Sequence, residues 1–263
     1  MLKGVAELDS IVDITIARLI AAYIFVLVLL LIIRRQKIGN QWEIILANLR
    51  MTIQLVLVGY LLTYIFANPG IILNLLIMVL MQGFAVQNIY SRVKHEMTTQ
   101  KIIAIAMFAG TAFTILYFIL VVVGLKPWYL PQYFIPLAGM LIGNSMTGIS
   151  LGVEGMINGV EDNRGMIENA LMLGGRPEII IKDIKGRAFY NAILPTINSM
   201  MGMGIVFLPG MMTGQMLAGA PPLTAIKYQI GIMLGILGSV TLTVFIMISW
   251  GARTFFNKRA QLK

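Results

Sequence analysis

The residues best suited to chemistry sit together in one stretch, Leu208-Pro209-Gly210-Met211-Met212-Thr213-Gly214-Gln215. It lies inside a long apolar segment, roughly residues 193–218. Pro209 has no N–H to donate, and its ring clashes with the carbonyl one turn back. Gly210 is the poorest ordinary helix former. Together they predict a break or kink in a helix at membrane depth. Irregular backbone is tolerated there only where it is buried in protein or lines a wet cavity. Thr213 and Gln215 add side chains able to bond the freed backbone or a passing solute. Interrupted helices of this kind mark substrate paths in transporters. The competing reading is a kinked helix in which Pro209 and Gly210 serve packing alone.

Reactive constellations are missing from the sequence. His95 is its only histidine, so the following Glu96 cannot complete an H-E-x-x-H zinc site. His95 falls in a basic loop and reads as a solvated surface residue. No carboxylate falls in the middle of an apolar run, which argues against an intramembrane aspartyl dyad. There is no G-x-x-x-x-G-K-[ST] phosphate loop. ATP, if it drives this protein, must be bound by another subunit. With no cysteine there is no disulfide framework and no thiolate metal site.

Uncharged polar residues do occur in the apolar runs: Gln54, Asn74, Gln82, Gln87, Asn88, Asn144, Ser145, Thr147, Thr213 and Gln215. Polar groups in hydrocarbon are costly unless satisfied, so they face a bundle interior, mostly as interhelical glue worth about 0.6 kcal/mol each. Asn144 stands out. It follows Gly139 and Gly143, a small-xxx-small pair that permits close helix approach. Methionines crowd the same regions: Met140 and Met146 in one run, and Met200, Met201, Met203, Met211, Met212 and Met216 in another. Thioethers bind soft metals such as copper(I), and they also fill irregular cores. The candidate pathway set is therefore Gln54, Asn144, Met146, Pro209, Gly210, Met211, Met212, Thr213 and Gln215. Its metal, if any, is undetermined.

These residues need a membrane scaffold to position them. The chain has 263 residues, 58% hydrophobic and 12% charged, with a mean hydropathy of +0.85. A soluble domain carries about 25% charged residues, whereas a spanning helix needs roughly 20 apolar residues. The fold class is all-α, a single polytopic membrane domain over residues 1–263. Residues 1–15 carry Glu7, Asp9 and Asp13 against Lys3 alone, unlike a signal peptide. Apolar runs follow at about 16–33, 51–66, 71–90, 102–125, 134–152, 193–218 and 226–250. Trp42, Ile45, Leu46 and Leu49 form a short amphipathic lead into the second. Residues 153–190 are the one long polar stretch. There Asp162 or Asn163 caps a helix reaching Leu173, and Gly174-Gly175 ends it. Pro177 opens a second helix, with Glu178 near its start and Lys182, Lys185 and Arg187 near its end.

Charge sets the expected orientation. Sixteen of the 20 basic residues fall on one set of alternate loops: Arg34, Arg35, Lys37 and Arg50; Arg92, Lys94 and Lys101; Arg164, Arg176, Lys182, Lys185 and Arg187; Arg253, Lys258, Arg259 and Lys263. Lys3, Arg18, Lys126 and Lys227 remain on the other side. The positive-inside rule makes the rich side cytoplasmic. Seven spans follow, with the N-terminus outside and the C-terminus inside. The formal charge of +9 is thus assigned to cytoplasmic loops and not to nucleic-acid binding.

Glu168-Asn169-Ala170-Leu171-Met172-Leu173-Gly174 resembles the E-A-A-x-x-x-G loop by which ABC importer permeases dock on their ATPase. Ile193-Leu194-Pro195 resembles the later I-x-L-P, without its spacer residue. Taken with Arg50-Met51-Thr52-Ile53-Gln54-Leu55, Gly59-Tyr60, Gly143-Asn144-Ser145-Met146, Arg187, the Leu208–Gln215 stretch, and Pro221-Pro222 through Tyr228-Gln229-Ile230, the chain resembles the FetB-type ABC permeases. That family is linked to iron export in bacteria and to aluminium tolerance in plants. The resemblance implies a permease homodimer in the bacterial cytoplasmic (inner) membrane and a separate ATP-binding cassette subunit carrying the ATP. It implies no cofactor on this chain. The expected coupling residues are Glu161, Glu168, Gly174, Gly175 and Arg176, within a cytoplasmic segment 153–190. The function implied is export of iron or another metal-related solute, with no enzymatic activity on this chain. A membrane receptor or scaffold that moves no solute is the alternative.

Overall fold

The computed structural model describes residues 14–37, 39, 41–93, 100–257 and 259–263, without the side chains of residues 92 and 93. Lys3, Glu7, Asp9, Asp13, Lys94, His95, Glu96 and Lys258 lie outside the described residues. The protein is all-α, and no strand forms among the described residues. Among the described residues, six helical segments are long and apolar enough to cross a membrane. The chain divides into two compact units, Met1–Asn68 and Pro69–Lys263.

In the first unit, α1 (Ile16–Ala22) and α2 (Ile24–Gln36) meet at Tyr23 and together form one candidate span. Lys37 stops α2 in a left-handed conformation, φ 53°. The expected amphipathic lead and second span are one helix, α3 (Gln41–Ala67). Nothing in 41–67 punctuates it, because neither proline nor a turn dipeptide intervenes. The Tyr23 hydroxyl hydrogen-bonds Thr52 of α3.

The second unit holds the packed core. It runs through α4 (Ile71–Val93), α5 (Gln100–Tyr117), α6 (Pro131–Asp162), α7 (Arg164–Met172), α8 (Pro177–Ile180), α9 (Lys182–Gly202), α10 (Gly210–Leu217) and α11 (Pro222–Gly251). A π-helical turn, Phe118–Val123, extends α5, and a 3-10 turn, Ala252–Phe255, ends α11. α6 packs against α4, α5, α9 and α11. Small residues set how closely these helices approach. A Cβ on Gly148 would lie 2.7 Å from Val240 Cγ1 of α11, and one on Gly159 2.6 Å from Ile184 Cγ2 of α9. The expected pair behaves differently. Gly143 faces open space and Gly139 meets only the end of Met81. Close approach therefore runs along the later glycines of α6, because those face the neighbouring helices.

Two boundaries differ from expectation in a way that matters for the site. First, α6 has 32 residues, about 48 Å at 1.5 Å per residue, against about 30 Å of hydrocarbon. It overruns the expected 134–152 span at its polar end. Second, the expected span 193–218 is not one helix. α9 begins at Lys182 and takes in residues assigned to a separate polar helix. It stops at Gly202. Lys182, Asp183, Lys185 and Arg187 lower its hydropathy, so α9 is not among the six apolar helices. The second polar helix shrinks to α8, one turn with Pro177 in the first turn.

Candidate translocation and coupling sites

The break between α9 and α10 spans residues 203–209: a tight turn comes first, and Pro209-Gly210 forms its downstream edge. Met203 leaves the helix at φ −69°, ψ 135°, and Gly204 turns at φ +84°. The Gly204 N–H donates to the Phe207 carbonyl at 2.9 Å, and the Val206 N–H to Gly202 at 2.9 Å. Met203 and Phe207 pair as an isolated bridge. These bonds answer for part of the backbone that α9 leaves unpaired. Pro209 is then the N-cap of α10, at φ −64°, and Gly210 its first residue. The expected kink is thus a helix start. A proline there loses nothing, since the first N–H groups of a helix have no intrahelical partner. Thr213 is bound locally, its hydroxyl donating to the Pro209 carbonyl at 3.1 Å.

α10 ends in a Schellman cap. The Gly219 N–H reaches Met216 and the Ala220 N–H reaches Gln215, both at 3.0 Å, with Gly219 at φ +90°. Both bonds fit the motif, in which a left-handed residue follows the last helical turn. α10 packs on α11. Met212 is buried, Met211 half-buried, and the Oε1 of Gln215 is buried with no hydrogen-bond partner. A second such acceptor stands on α11. Gln229 is 6% exposed; its Oε1 is unpartnered and its Nε2 lies 3.8 Å from the Met203 sulfur. Gln229 therefore ties α11 to the turn that breaks the chain. Sequence reasoning did not select it as a site residue; a lone glutamine in the apolar run 226–250 was the available signal. An orphaned buried acceptor costs about 1–3 kcal/mol; Asn74 and Gln82 of α4 carry two more.

The remaining expected pathway residues lie on α6 and, in the first unit, on α3. Asn144 and Met146 sit on α6. The Asn144 amide donates to its own helix at Met140, 2.8 Å, and its side chain is exposed. Met146 is half-buried. Gln54 lies exposed on α3 in the first unit. Other polar residues join helices. Ser145 of α6 hydrogen-bonds Ser239 of α11 at 2.8 Å. Gln82 of α4 donates to Thr111 of α5. No group of three or more His, Cys, Asp or Glu side chains forms a metal site among the described residues.

The expected coupling residues form a continuous exposed arm. Glu161 lies in the last turn of α6, which ends at Asp162, and α7 follows after Asn163. Asn163 occupies the N-cap but makes no cap bond. Its amide donates back to Gly159 at 2.8 Å. Arg164 and Glu168 pair at 2.9 Å on the exposed surface, a contact worth little in water. Ile167, fully buried, anchors the helix. At the other end Gly175 N–H reaches Ala170 and Gly174 N–H reaches Leu171, both at 2.9 Å, with Gly174 at φ +83°. This is a second Schellman cap. A Cβ on Gly175 would fall 2.8 Å from the Ala170 carbonyl oxygen, so both glycines are required. Arg176 then caps α8 in extended conformation. The arm presents Met172 and Leu173 to solvent, 81% and 89% exposed.

Comparison with known proteins fits this membrane architecture. The profile of the uncharacterised protein family UPF0014 matches residues 16–256. The chain is 34% identical over 242 residues to the UPF0014 membrane protein YjkA of Bacillus subtilis, covering 91% of this chain and 95% of that one. It is 32% identical over 256 residues to the probable iron export permease protein FetB of Escherichia coli, covering 95% of each. To the protein ALUMINUM SENSITIVE 3 of Arabidopsis thaliana it is 32% identical over 247 residues, 92% of this chain and 88% of the other. No solved structure gives a significant match. With the family profile spanning nearly all described helices and relatives matched almost end to end, the chain belongs to the UPF0014 family of membrane proteins.

Proposed function

We propose that the chain is the membrane-spanning permease subunit of an ATP-binding cassette transporter. It exports iron or another metal-related solute across the bacterial cytoplasmic membrane as a homodimer, and ATP is bound and hydrolysed on a separate partner subunit. The observation that carries this reading is the arm at residues 161–176. A nine-residue helix is pinned inside by Ile167, closed by two obligatory glycines, and holds Met172 and Leu173 out in water. Exposed apolar residues on a rigid, well-capped helix suit insertion into a cleft of a partner protein. The full-length likeness to a relative named as an iron export permease supports the direction and class of transport. Residues 153–190 face the cytoplasm in this reading. Seven membrane crossings are counted with α9 as the sixth, shielded by α6 and α11 on which it packs.

The solute path runs by the break between α9 and α10, where Gln215 and Gln229 hold unpartnered carboxamide oxygens and Met203 and Met212 supply thioethers. These groups offer reversible binding without a fixed charge. Gly174→Pro tests the coupling half. Proline holds φ near −65° where the chain needs +83°, so the Schellman cap is lost. The variant is expected to insert normally but neither copurify with the ATPase nor stimulate its hydrolysis. Normal stimulation by both Gly174→Pro and Glu168→Lys permeases would place docking elsewhere or remove it.

A further inference from the structure

A cleft of about 620 Å³ opens where α8 and the start of α9 meet the end of α11. Arg176, Lys185 and Arg253 line it, with Glu178 as its one carboxylate, over an apolar floor that includes Ile181 and Phe256. Arg253 and Glu178 approach only to 3.8 Å, with side chains 76% and 77% exposed. A pair that long and that wet is nearly worthless, so the cleft keeps a local excess of positive charge. Its wall is preformed. The Asn257 side-chain oxygen accepts the N–H of Arg259 at 2.8 Å and of Gln261 at 3.0 Å, and the Asn257 N–H donates to the Gln261 carbonyl at 2.9 Å. Asn257 is thereby tied to Arg259 and Gln261 beside the opening.

Depth narrows the ligand. α11 has 30 residues from Pro222, about 45 Å, which matches a bilayer with its headgroups at about 40–45 Å. Trp250, 48% exposed, stands three residues before Arg253. Exposed tryptophan at a helix end marks the headgroup level. Basic pockets between helices at that level hold anionic headgroups.

We propose that this cleft binds the phosphate group of an anionic amphiphile, with Arg176, Lys185 and Arg253 on the phosphate and the apolar floor under the attached glycerol and chain. The proposal rests on the permease reading only for the cytoplasmic placement of this face. Because Arg176 closes the coupling arm, occupancy would brace that arm against α11 and make it responsive to lipid composition.

The test uses the purified permease alone, without ATPase or solute, so its failure is distinct from failure of the transport reading. Permease in nanodiscs of phosphatidylcholine, with or without phosphatidylglycerol, is compared by thermal unfolding and by native mass spectrometry of retained lipid. Wild type should retain phosphatidylglycerol preferentially and unfold at higher temperature with it. R176Q/K185Q/R253Q should bind it roughly a hundredfold more weakly. K185Q alone, expected to weaken binding several-fold, serves if the triple variant does not fold. R34Q/R35Q/K37Q removes as much charge elsewhere and should retain the lipid like wild type. Inorganic phosphate added to phosphatidylcholine discs separates the two sources of the anion. If it reproduces the stabilisation, the ligand is free phosphate and the amphiphile is overturned; if it does not, while phosphatidylglycerol stabilises, the ligand is the headgroup. Equal lipid retention by wild type, triple variant and K185Q, or equal loss in R34Q/R35Q/K37Q, overturns the proposal. So does indifference of wild type to both phosphatidylglycerol and phosphate.

Discussion

α7 and α10 are built alike and serve opposite surroundings. They have nine and eight residues, and each ends in a Schellman cap on a left-handed glycine, Gly174 or Gly219. They lie on either side of α9 in the chain. α7 buries one isoleucine and leaves Met172 and Leu173 in water. α10 buries Met212 and an unpartnered carboxamide oxygen of Gln215. The same local grammar thus serves a proposed docking arm in one place and a wall of the proposed path in the other. Capping decides that a short helix exists. Only its neighbours decide what it does.

The sharpest way to break this comparison is to remove each helix's anchor. Ile167→Ala deletes a fully buried side chain and should cost about 3 kcal/mol, freeing α7. ATPase copurification should fall with it, whereas Met212→Ala, on the α10 side, should lower efflux and leave copurification intact. Efflux in proteoliposomes and pull-down on the same preparations decide the matter; if both variants lose the same activity, the division of labour fails.

A smaller effect separates the residue that turns the chain from the residues that restart it. Gly204→Ala meets no steric neighbour, yet forces a Cβ onto φ +84°, at about 1–2 kcal/mol. Gly210→Ala has open space and ordinary backbone. It should stabilise by about 0.5 kcal/mol. Comparing their thermal midpoints would locate the break. A larger loss from Gly210→Ala would return it to the Pro209-Gly210 pair.

Gln215→Leu tests the orphaned acceptor. Replacing an unsatisfied buried carboxamide should leave stability unchanged or raise it by about 1 kcal/mol, while efflux per folded molecule drops. Retained efflux would make Gln215 a packing residue. Finally, single cysteines in this cysteine-free chain test orientation without altering stability. Pro69→Cys and Pro221→Cys should react with an impermeant maleimide from outside, and Asp162→Cys should not. Labelling of position 162 in intact cells would overturn the proposed cytoplasmic placement of α7.

Much of the fold was legible because its signals are local. Runs of some twenty apolar residues announce spanning helices whatever they pack against. Pro177 stands in the first turn of a helix and Gly174 follows the end of one, where their backbone preferences put them; Pro131 and Pro222 also open helices, α6 and α11, ahead of the apolar runs expected from 134 and 226. The α7 boundaries were readable for the same reason. The Pro209-Gly210 pair correctly signalled a break, but as the start of α10 and not as a kink, because proline disfavours helix interiors and favours helix starts. Which applies depends on whether the preceding residues are helical, and Gly204 had already turned them away.

The sequence alone determined the membrane setting, the all-α class, the exposed polar arm and its glycine cap, since composition, hydropathy and backbone preference are properties of short stretches. Tertiary structure decided the rest. It merged the polar residues from Lys182 into α9, because α6 and α11 pack along that helix. It chose Gly148 and Gly159 over Gly139 and Gly143 for close approach. It set Gln229, which the sequence shows as one polar residue in an apolar run, beside Met203 of the broken segment. It also gathered Arg176, Lys185 and Arg253 around one cleft from positions up to 77 residues apart. Distances between side chains on different helices are fixed by packing, and no local pattern encodes them.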